Sequence, residues 1–112
     1  MARRLVFGFS LERHTLPTPP AVRIWVDADG NERLDDGEEV APLHQDGLAW
    51  FGAFVLPSDA LPRLGFLVRY EAEVGARWTL DVALDGPEPT QVYGDSDVVR
   101  TAAGRVIGWV SV

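Results

Sequence analysis

The chain of 112 residues contains no cysteine, no lysine and only two histidines. The absence of cysteine excludes disulfides, a thiolate nucleophile and cysteine-based zinc or iron–sulfur sites. The absence of lysine leaves ten scattered arginines as the strongly basic side chains, of which only Arg3 and Arg4 are adjacent. Seventeen acids outnumber these arginines and give a formal net charge of −7. Because phosphate recognition needs clustered basic residues, we expect no nucleic-acid partner.

The sequence also lacks a long hydrophobic run, since no segment approaches the ~20 apolar residues of a membrane-spanning helix. The start of the chain, Arg3-Arg4 followed by the apolar run Leu5–Leu11, weakly resembles a signal peptide. However, charge returns at Glu12 and Arg13, and no small-residue cleavage site follows. We therefore expect no membrane span and a cytoplasmic protein, with a secreted or cell-surface location as the alternative.

A catalytic nucleophile beside a base is not evident in the sequence. The two histidines, His14 and His44, lie in polar, loop-like surroundings. None of the four serines stands in a nucleophile-elbow pattern, and there is no glycine-rich phosphate-binding loop. The sequence therefore predicts that the protein is not an enzyme.

What the sequence does contain is a repeated alternation of apolar and polar residues, with the period of two that is typical of half-buried β-strands. Eleven glycines and eight prolines suit short strands that are joined by turns. The alternation is clearest over Trp78–Leu84. The segments that we predict as strands are 5–11, 22–26, 48–56, 66–72, 78–84, 90–93, 98–101 and 105–112.

Seven or eight short strands without a helical period predict one domain over residues 1–112. Its expected fold is all-β, a single antiparallel β-sandwich that is immunoglobulin- or transthyretin-like. The apolar positions of these strands predict a hydrophobic core, which comprises Phe7, Phe9, Ile24, Val26, Trp50, Phe54, Phe66, Val68, Tyr70, Trp78, Leu80 and Val82.

The most unusual stretch is residues 27–39, which hold seven of the seventeen acids but only one of the ten arginines. Nearly the whole net charge of the chain is therefore concentrated in one segment. Like charges that are held close together repel one another even when salt screens them in part. This concentration of acids indicates a bound cation.

The spacing of the oxygen-bearing side chains in this stretch matches a calcium-binding loop of twelve residues. Such a loop supplies ligands from positions 1, 3, 5, 7, 9 and 12. Position 6, where glycine is preferred, is Glu32, and this substitution weakens the match. Counted from the first aspartate, the ligand positions fall on Asp27, Asp29, Asn31, the carbonyl of Arg33, Asp35 and Glu38.

The residues before the loop point to a β-sheet scaffold, because Trp25-Val26-Asp27 continues a predicted strand into the first ligand position. Residues 24–38 thereby resemble the EF-hand-like calcium loops on β-sandwiches, in particular those of the B-type repeat domains of bacterial surface adhesins. The likeness ends at Glu39–Pro42, which replaces the glycine-rich continuation of those repeats. The resemblance implies a stabilising, non-catalytic calcium ion with Asp27, Asp29, Asn31, Asp35 and Glu38 as ligands.

Other interpretations of the same features stay open. An acidic surface hairpin would look similar, because Asp29-Gly30 and Asp36-Gly37 are ordinary turn dipeptides. The alternative function is that of a carbohydrate-binding module, in which Trp25, on the polar side of its strand, would contact the sugar. The order of Trp50, Tyr70 and Trp78 along the chain also weakly resembles the order of aromatic residues in starch-binding modules.

A third interpretation needs no cation and no sugar. A β-sandwich can use a sheet face or a sheet edge to bind another protein or a second copy of itself. The expected function is thus a non-catalytic binding or interaction domain with one calcium loop, and its expected partner is a protein, a second copy of the chain or a glycan.

Overall fold

The chain folds into two antiparallel β-sheets that face each other across one hydrophobic core. A computed structural model describes residues 3–28, 30, 38–57, 59, 61–86 and 88–112. The predicted all-β sandwich of seven or eight strands is confirmed. Its eight strands are β1 (Arg4–Leu11), β2 (Ala21–Asp27), β3 (His44–Asp46), β4 (Ala49–Val55), β5 (Arg63–Glu71), β6 (Arg77–Asp85), β7 (Thr90–Val98) and β8 (Ala103–Ser111).

The larger sheet has five strands in the order β3-β4-β1-β6-β7, so that β1 lies at its centre. Every second residue over Leu5–Leu11 is buried, as the period of two requires when one face of a sheet covers a core. The ring of Phe9 stacks on Trp78 of the same sheet and on Tyr70 of the other, with centroids 6.1 and 5.7 Å apart. This aromatic group joins the two sheets at the middle of the core.

The smaller sheet has three strands in the order β2-β5-β8, with β5 at its centre. The inward residues of β5, at alternate positions over Leu64–Tyr70, are all buried. Opposite them, β8 places the glycines Gly104 and Gly108 on its inner side. A side chain at Gly108 would lie only 2.6 Å from the ring of Phe66, so that the missing side chains of β8 make room for the aromatic residues of β5.

The turns between strands occur where the sequence carries turn signals. Gly47 follows β3 and Gly75 follows β5, and both adopt a positive φ, of 60° and 93°. Residues with a side chain rarely tolerate this conformation, which explains the glycine at each position. No helix in the described part of the chain is long and apolar enough to cross a membrane.

The predicted core is largely confirmed, since eleven of its twelve residues are buried, and Phe54 is partly buried. Two features of the strands were not predicted. The short strand β3 lies in a segment that we did not predict as a strand. In place of the two predicted strands at 90–93 and 98–101 there is one strand, β7, which ends at Val98 and leaves residues 99–101 outside it. Polar residues such as Asp95 and Ser96 interrupt the apolar alternation that we used to predict strands, and an edge strand such as β7 can carry them without burying them.

The aromatic group around Phe9 gives a direct test of the core. We expect Phe9→Ala to lower the free energy of unfolding by about 3–5 kcal/mol, because it leaves a cavity between two sheets. Phe51→Ala is the matched control, since Phe51 lies on the outer side of β4 and is 46% exposed; we expect a loss below about 1 kcal/mol. Chemical denaturation of both variants measures the difference, and equal losses would contradict this description of the core.

Candidate functional site

The side of the three-stranded sheet that points away from the core is the candidate functional surface, and we call it the outer face. Antiparallel pairing aligns residues of β2, β5 and β8 in rows across this face. Residues that are directly opposite on neighbouring strands have Cβ atoms only about 4.5–5.5 Å apart. The aligned rows are Ala21–Glu71–Ala103, Arg23–Arg69–Arg105, Trp25–Leu67–Ile107 and Asp27–Gly65–Trp109.

Three arginines form one of these rows. Arg69 on the central strand is directly opposite both Arg23 and Arg105, and we call these three residues the arginine row. Arg23 forms an ion pair with Glu39. Arg69 and Arg105 form no ion pair with any residue that the structure describes. Because like charges that are directly opposite in a sheet destabilise it, we expect the row to lower the stability of the free domain.

Trp25 lies next to the arginine row and interacts with two of its members. The guanidinium carbon of Arg23 is 4.7 Å from the centre of a Trp25 ring, and that of Arg69 is 5.5 Å away. Cation–π contacts of this kind offset part of the repulsion between the arginines. They also cover the indole, which is only 8% exposed although it lies on the outer face.

The apolar residues that β8 contributes to the outer face are more exposed than Trp25. Ile107 is 61% exposed and Trp109 is 48% exposed, both on β8. The ring of Trp109 lies over Gly65, where a side chain would come within 3.3 Å of the indole. A cavity of about 270 Å³, lined in part by Leu67, Ile107 and Trp109, adjoins these residues. The outer face therefore offers apolar and aromatic contact area beside its positive charges.

A second, shallow cavity of about 420 Å³ opens over the arginine row. All three arginines line it, against a single acid in the lining, Glu71. Tyr70 also contributes to the cavity, and burial together with the charge of Asp97 raises the pKa of its hydroxyl. The cavity is positively charged in a chain whose net charge is −7, and this combination suits an anionic group.

The outer side of the five-stranded sheet differs from the outer face in how its charges are arranged. There Arg4 pairs with Asp85 of the neighbouring strand at 2.5 Å, and Asp81 accepts a hydrogen bond from Gln91 at 2.7 Å. Opposite or compatible groups thus face one another on that sheet. On the outer face, in contrast, Arg69 and Arg105 form no ion pair with any described residue.

The predicted calcium loop begins where β2 ends, at the margin of the outer face. Asp27 and Glu38, the first and twelfth positions of the loop, are both buried. The Oε2 atom of Glu38 accepts a hydrogen bond of 2.7 Å from the backbone N–H of Ala28. The fold therefore brings the two ends of the predicted loop together.

The other four predicted ligands lie outside the described residues. These are Asp29, Asn31, Arg33 and Asp35. Among the residues that are described, no group of three or more His, Cys, Asp or Glu side chains is arranged to hold a metal ion. The coordination of a calcium ion by residues 27–38 thus stays a prediction.

The sequence prediction named Trp25 on the outer face but did not identify Arg69, Arg105, Ile107 or Trp109. A signal for them was present, because Leu67-x-Arg69 and Arg105-x-Ile107-x-Trp109 place charged and apolar residues on the same side of a strand. It was not sufficient, since scattered arginines form a row only when the register between strands is known.

The cost of the arginine row can be measured directly. We expect Arg69→Glu to raise the free energy of unfolding by about 0.5–1 kcal/mol at low salt, because one repulsive row becomes two attractive pairs. The gain should shrink in roughly 1 M salt, where the Debye length falls to about 3 Å. Thermal and urea unfolding at both salt concentrations check this expectation.

Arg77→Glu is the control for this experiment. Arg77 lies on the other sheet, where the hydrogen bond from Arg100 first, and to a lesser extent the charge of Arg77, hold the pKa of Asp97 below its ordinary value. A reversal of charge at Arg77 should therefore give no gain in stability. A gain for Arg77→Glu as large as for Arg69→Glu would indicate a general effect of net charge and contradict a local cost at the arginine row.

Comparisons with known proteins do not assign the chain to a family. No protein-family model matches it, and no match was found among curated proteins or solved structures. The functional argument therefore starts from the outer face and from the ends of the acidic loop.

Proposed function

We propose that the protein is a non-catalytic binding domain whose outer face receives an acidic segment of another protein. The observation that carries this proposal is the arginine row, Arg23–Arg69–Arg105, which aligns three like charges directly opposite one another and lines a cavity. Binding surfaces commonly retain such unfavourable groups, because a ligand satisfies them and the folded chain alone does not. Carboxylates are suitable ligands, since a guanidinium can bind them with two parallel hydrogen bonds.

The neighbouring rows favour a protein segment over a sugar. Sugars bind to flat aromatic rings, whereas Leu67 and Ile107 are branched aliphatic residues that suit apolar side chains. In addition, the indole of Trp25 is occupied by two guanidinium groups. In the carbohydrate-binding alternative, the 48% exposed Trp109 would have to replace Trp25 as the main contact.

The size of the outer face favours an extended segment over a large globular surface. Three strands that are about 4.8 Å apart, with up to nine residues that rise about 3.4 Å each, cover roughly 400 Å². A stable interface between two globular proteins usually needs about 800 Å² on each partner. An extended peptide can place alternate side chains in successive rows, with an acid at the arginine row and an apolar residue at the row of Leu67.

A synthetic peptide that repeats Glu-Ser-Val-Ser tests the proposal, because its alternate residues put Glu and Val on the same side. We expect it to bind in a calorimetric titration, and a peptide that repeats Lys-Ser-Val-Ser not to bind. Arg69→Gln should weaken binding about tenfold, which corresponds to one charge-assisted hydrogen bond. Added salt should weaken it further.

Arg77→Gln provides the matched control, because Arg77 is an exposed arginine on the other sheet, and this variant should bind like the wild type. The proposal would be wrong if the wild type bound neither peptide, or both equally. If a soluble glucan changed the tryptophan fluorescence while the acidic peptide did not, the carbohydrate-binding alternative would take its place.

We further propose that residues 27–38 bind one calcium ion with a stabilising role. The support comes from the hydrogen bond between Ala28 and Glu38, which joins the second and twelfth positions of the loop. A bidentate glutamate at the twelfth position is the residue that completes calcium coordination in loops of this length. The ion would fix the segment that leads to Glu39, which in turn holds Arg23 of the arginine row.

Thermal unfolding with calcium or with a chelator tests the ion. When the concentration of a ligand is about 100 times its dissociation constant and the ligand binds only the folded state, it adds roughly 2.7 kcal/mol to the free energy of unfolding. Millimolar calcium should therefore raise the melting temperature by several degrees. We expect Glu38→Gln to remove this rise, because the amide keeps an acceptor for Ala28 but loses the charge. Glu88→Gln, an exposed acid outside the loop, should keep the rise. The absence of any calcium effect on the wild type would refute the proposed ion.

A further inference from the structure

The four edge strands of the sandwich are not equally protected against pairing with another chain. An edge strand exposes unpaired backbone groups, and proteins usually block it by shortness, bulges, inward-pointing charges or a covering segment. β3 has only three residues. The edge of β2 is partly covered, because Glu39 bridges Trp25 and the N–H of Val40 donates to the carbonyl of Ile24 at 2.8 Å.

β7 is protected in two other ways. Its pairing with β6 shifts by one residue beside Val82, which leaves a bulge in the strand. It also directs Asp95 and Asp97 toward the core side, since they are paired with the buried residues Leu80 and Trp78. A bulge and inward-pointing acids both discourage the addition of another strand.

Among the described residues β8 is long and has neither a bulge nor an inward-pointing charge. β7 of the other sheet lies beside it on the core side, where the ring of Tyr93 would come within 2.9 Å of a side chain at Gly108. β8 pairs with β5 over nine consecutive residues without a register shift, and it contains no proline. Within the described part of the chain, no backbone hydrogen bond reaches β8 from the side opposite β5. Its exposed residues on the outer face are Arg105, Ile107 and Trp109, so that the edge is long, regular and partly apolar.

We propose that β8 pairs in antiparallel fashion with β8 of a second copy of this chain, to form a symmetric dimer with a continuous six-stranded sheet. The order of residues along β8 supplies the complementarity. Ile107 is the midpoint of Ala103–Ser111, and full overlap of the two strands therefore places it opposite Ile107 of the other copy. In the same register Arg105 of each copy lies opposite Trp109 of the other.

The chemistry of these pairs is favourable in this register. Two β-branched apolar residues meet at the two-fold axis, and branched side chains pack well across strands. Each Arg105, which forms no ion pair in its own described chain, comes opposite a Trp109 ring that is 48% exposed. Arg63 of the same chain already lies over this ring, with its guanidinium carbon 5.0 Å from the ring centre. Arg105 of the other copy adds a second cation–π contact at the exposed part of the ring. A register centred on Arg105 would oppose two like charges and shorten the overlap. An isologous contact of this type also closes after two copies and does not lead to fibres.

This dimer does not depend on the acidic ligand of the proposed function. The pairing engages Arg105, one of the three arginines that line the cavity, and leaves Arg23 and Arg69 open on each copy to bind a carboxylate. Edge pairing would place the two outer faces side by side, so that one partner with two acidic segments could occupy both.

Analytical ultracentrifugation over roughly 10 µM to 1 mM tests the dimer, since small interfaces dissociate in this range. The mass should rise from 12.3 kDa toward twice that value as the concentration increases. Ile107→Lys should keep the protein monomeric, because it places two like charges at the axis. Val55→Lys is the matched control: Val55 is 59% exposed against 61% for Ile107 but lies on the other sheet, and this variant should dimerise like the wild type.

The absence of cysteine in the chain allows a test of the register. Opposite residues in an antiparallel pair have Cα atoms about 4.5–5.5 Å apart, within the range that a disulfide requires. Under mild oxidation Ile107→Cys should therefore form a covalent dimer, and a mixture of the Arg105→Cys and Trp109→Cys variants should form the mixed dimer in excess over either homodimer. Val55→Cys should remain mainly monomeric.

Each outcome supports or overturns the proposal. A wild type that stays at the monomer mass at every concentration overturns it, and so does a dimer that Val55→Lys disrupts and Ile107→Lys does not. Near-ultraviolet circular dichroism establishes that each variant is folded. Because the dimer is measured without any peptide, its failure would leave the acidic-ligand proposal standing, and the failure of peptide binding would leave the dimer standing.

Discussion

The register of the three-stranded sheet is the constraint on which the rest of the surface depends. β5 buries Leu64, Phe66, Val68 and Tyr70 against the five-stranded sheet. A slip of one residue would move all of these side chains into water and bring Arg69 into the core. The burial of several large apolar groups, each worth about 1.5–3 kcal/mol, outweighs the repulsion between aligned arginines. The core therefore determines the alignment of the outer face, including its unfavourable row.

Because core burial contributes far more free energy than the repulsion between the arginines costs, the domain can maintain a surface that is not optimal for its own stability. The arginine row costs a fraction of what the core contributes, and the contacts of Arg23 and Arg69 with Trp25 recover part of that cost. The ion pair between Arg23 and Glu39 recovers a further part at one end of the row. What is left is a positive cavity beside apolar residues. A ligand with carboxylates and apolar side chains would pair its carboxylates with the arginines of the cavity and cover the apolar residues beside it.

The predicted calcium loop and the outer face share a boundary, because Asp27 is the last residue of β2 and also belongs to the row of Trp109. The return of the chain from the loop brings Glu39 beside Trp25 and Arg23. An ion that orders this loop would thus order the covered edge of β2, while the opposite edge, β8, stays available. The sheet thus has one partly covered edge, β2, and one open edge, β8, so that calcium binding and dimerisation are proposed at opposite edges.

The sequence by itself determined the fold class, most of the core and the concentration of acids in residues 27–39. These follow from local patterns, since the alternation of apolar residues identifies the buried side of each strand without knowledge of its neighbours. Only the tertiary structure decided that Arg23, Arg69 and Arg105 form a row, that β8 is the open edge, and that Glu38 returns to Ala28. These features depend on which strands pair and in which register. Pairing is set by the packing of the whole core, and no window of the sequence contains it.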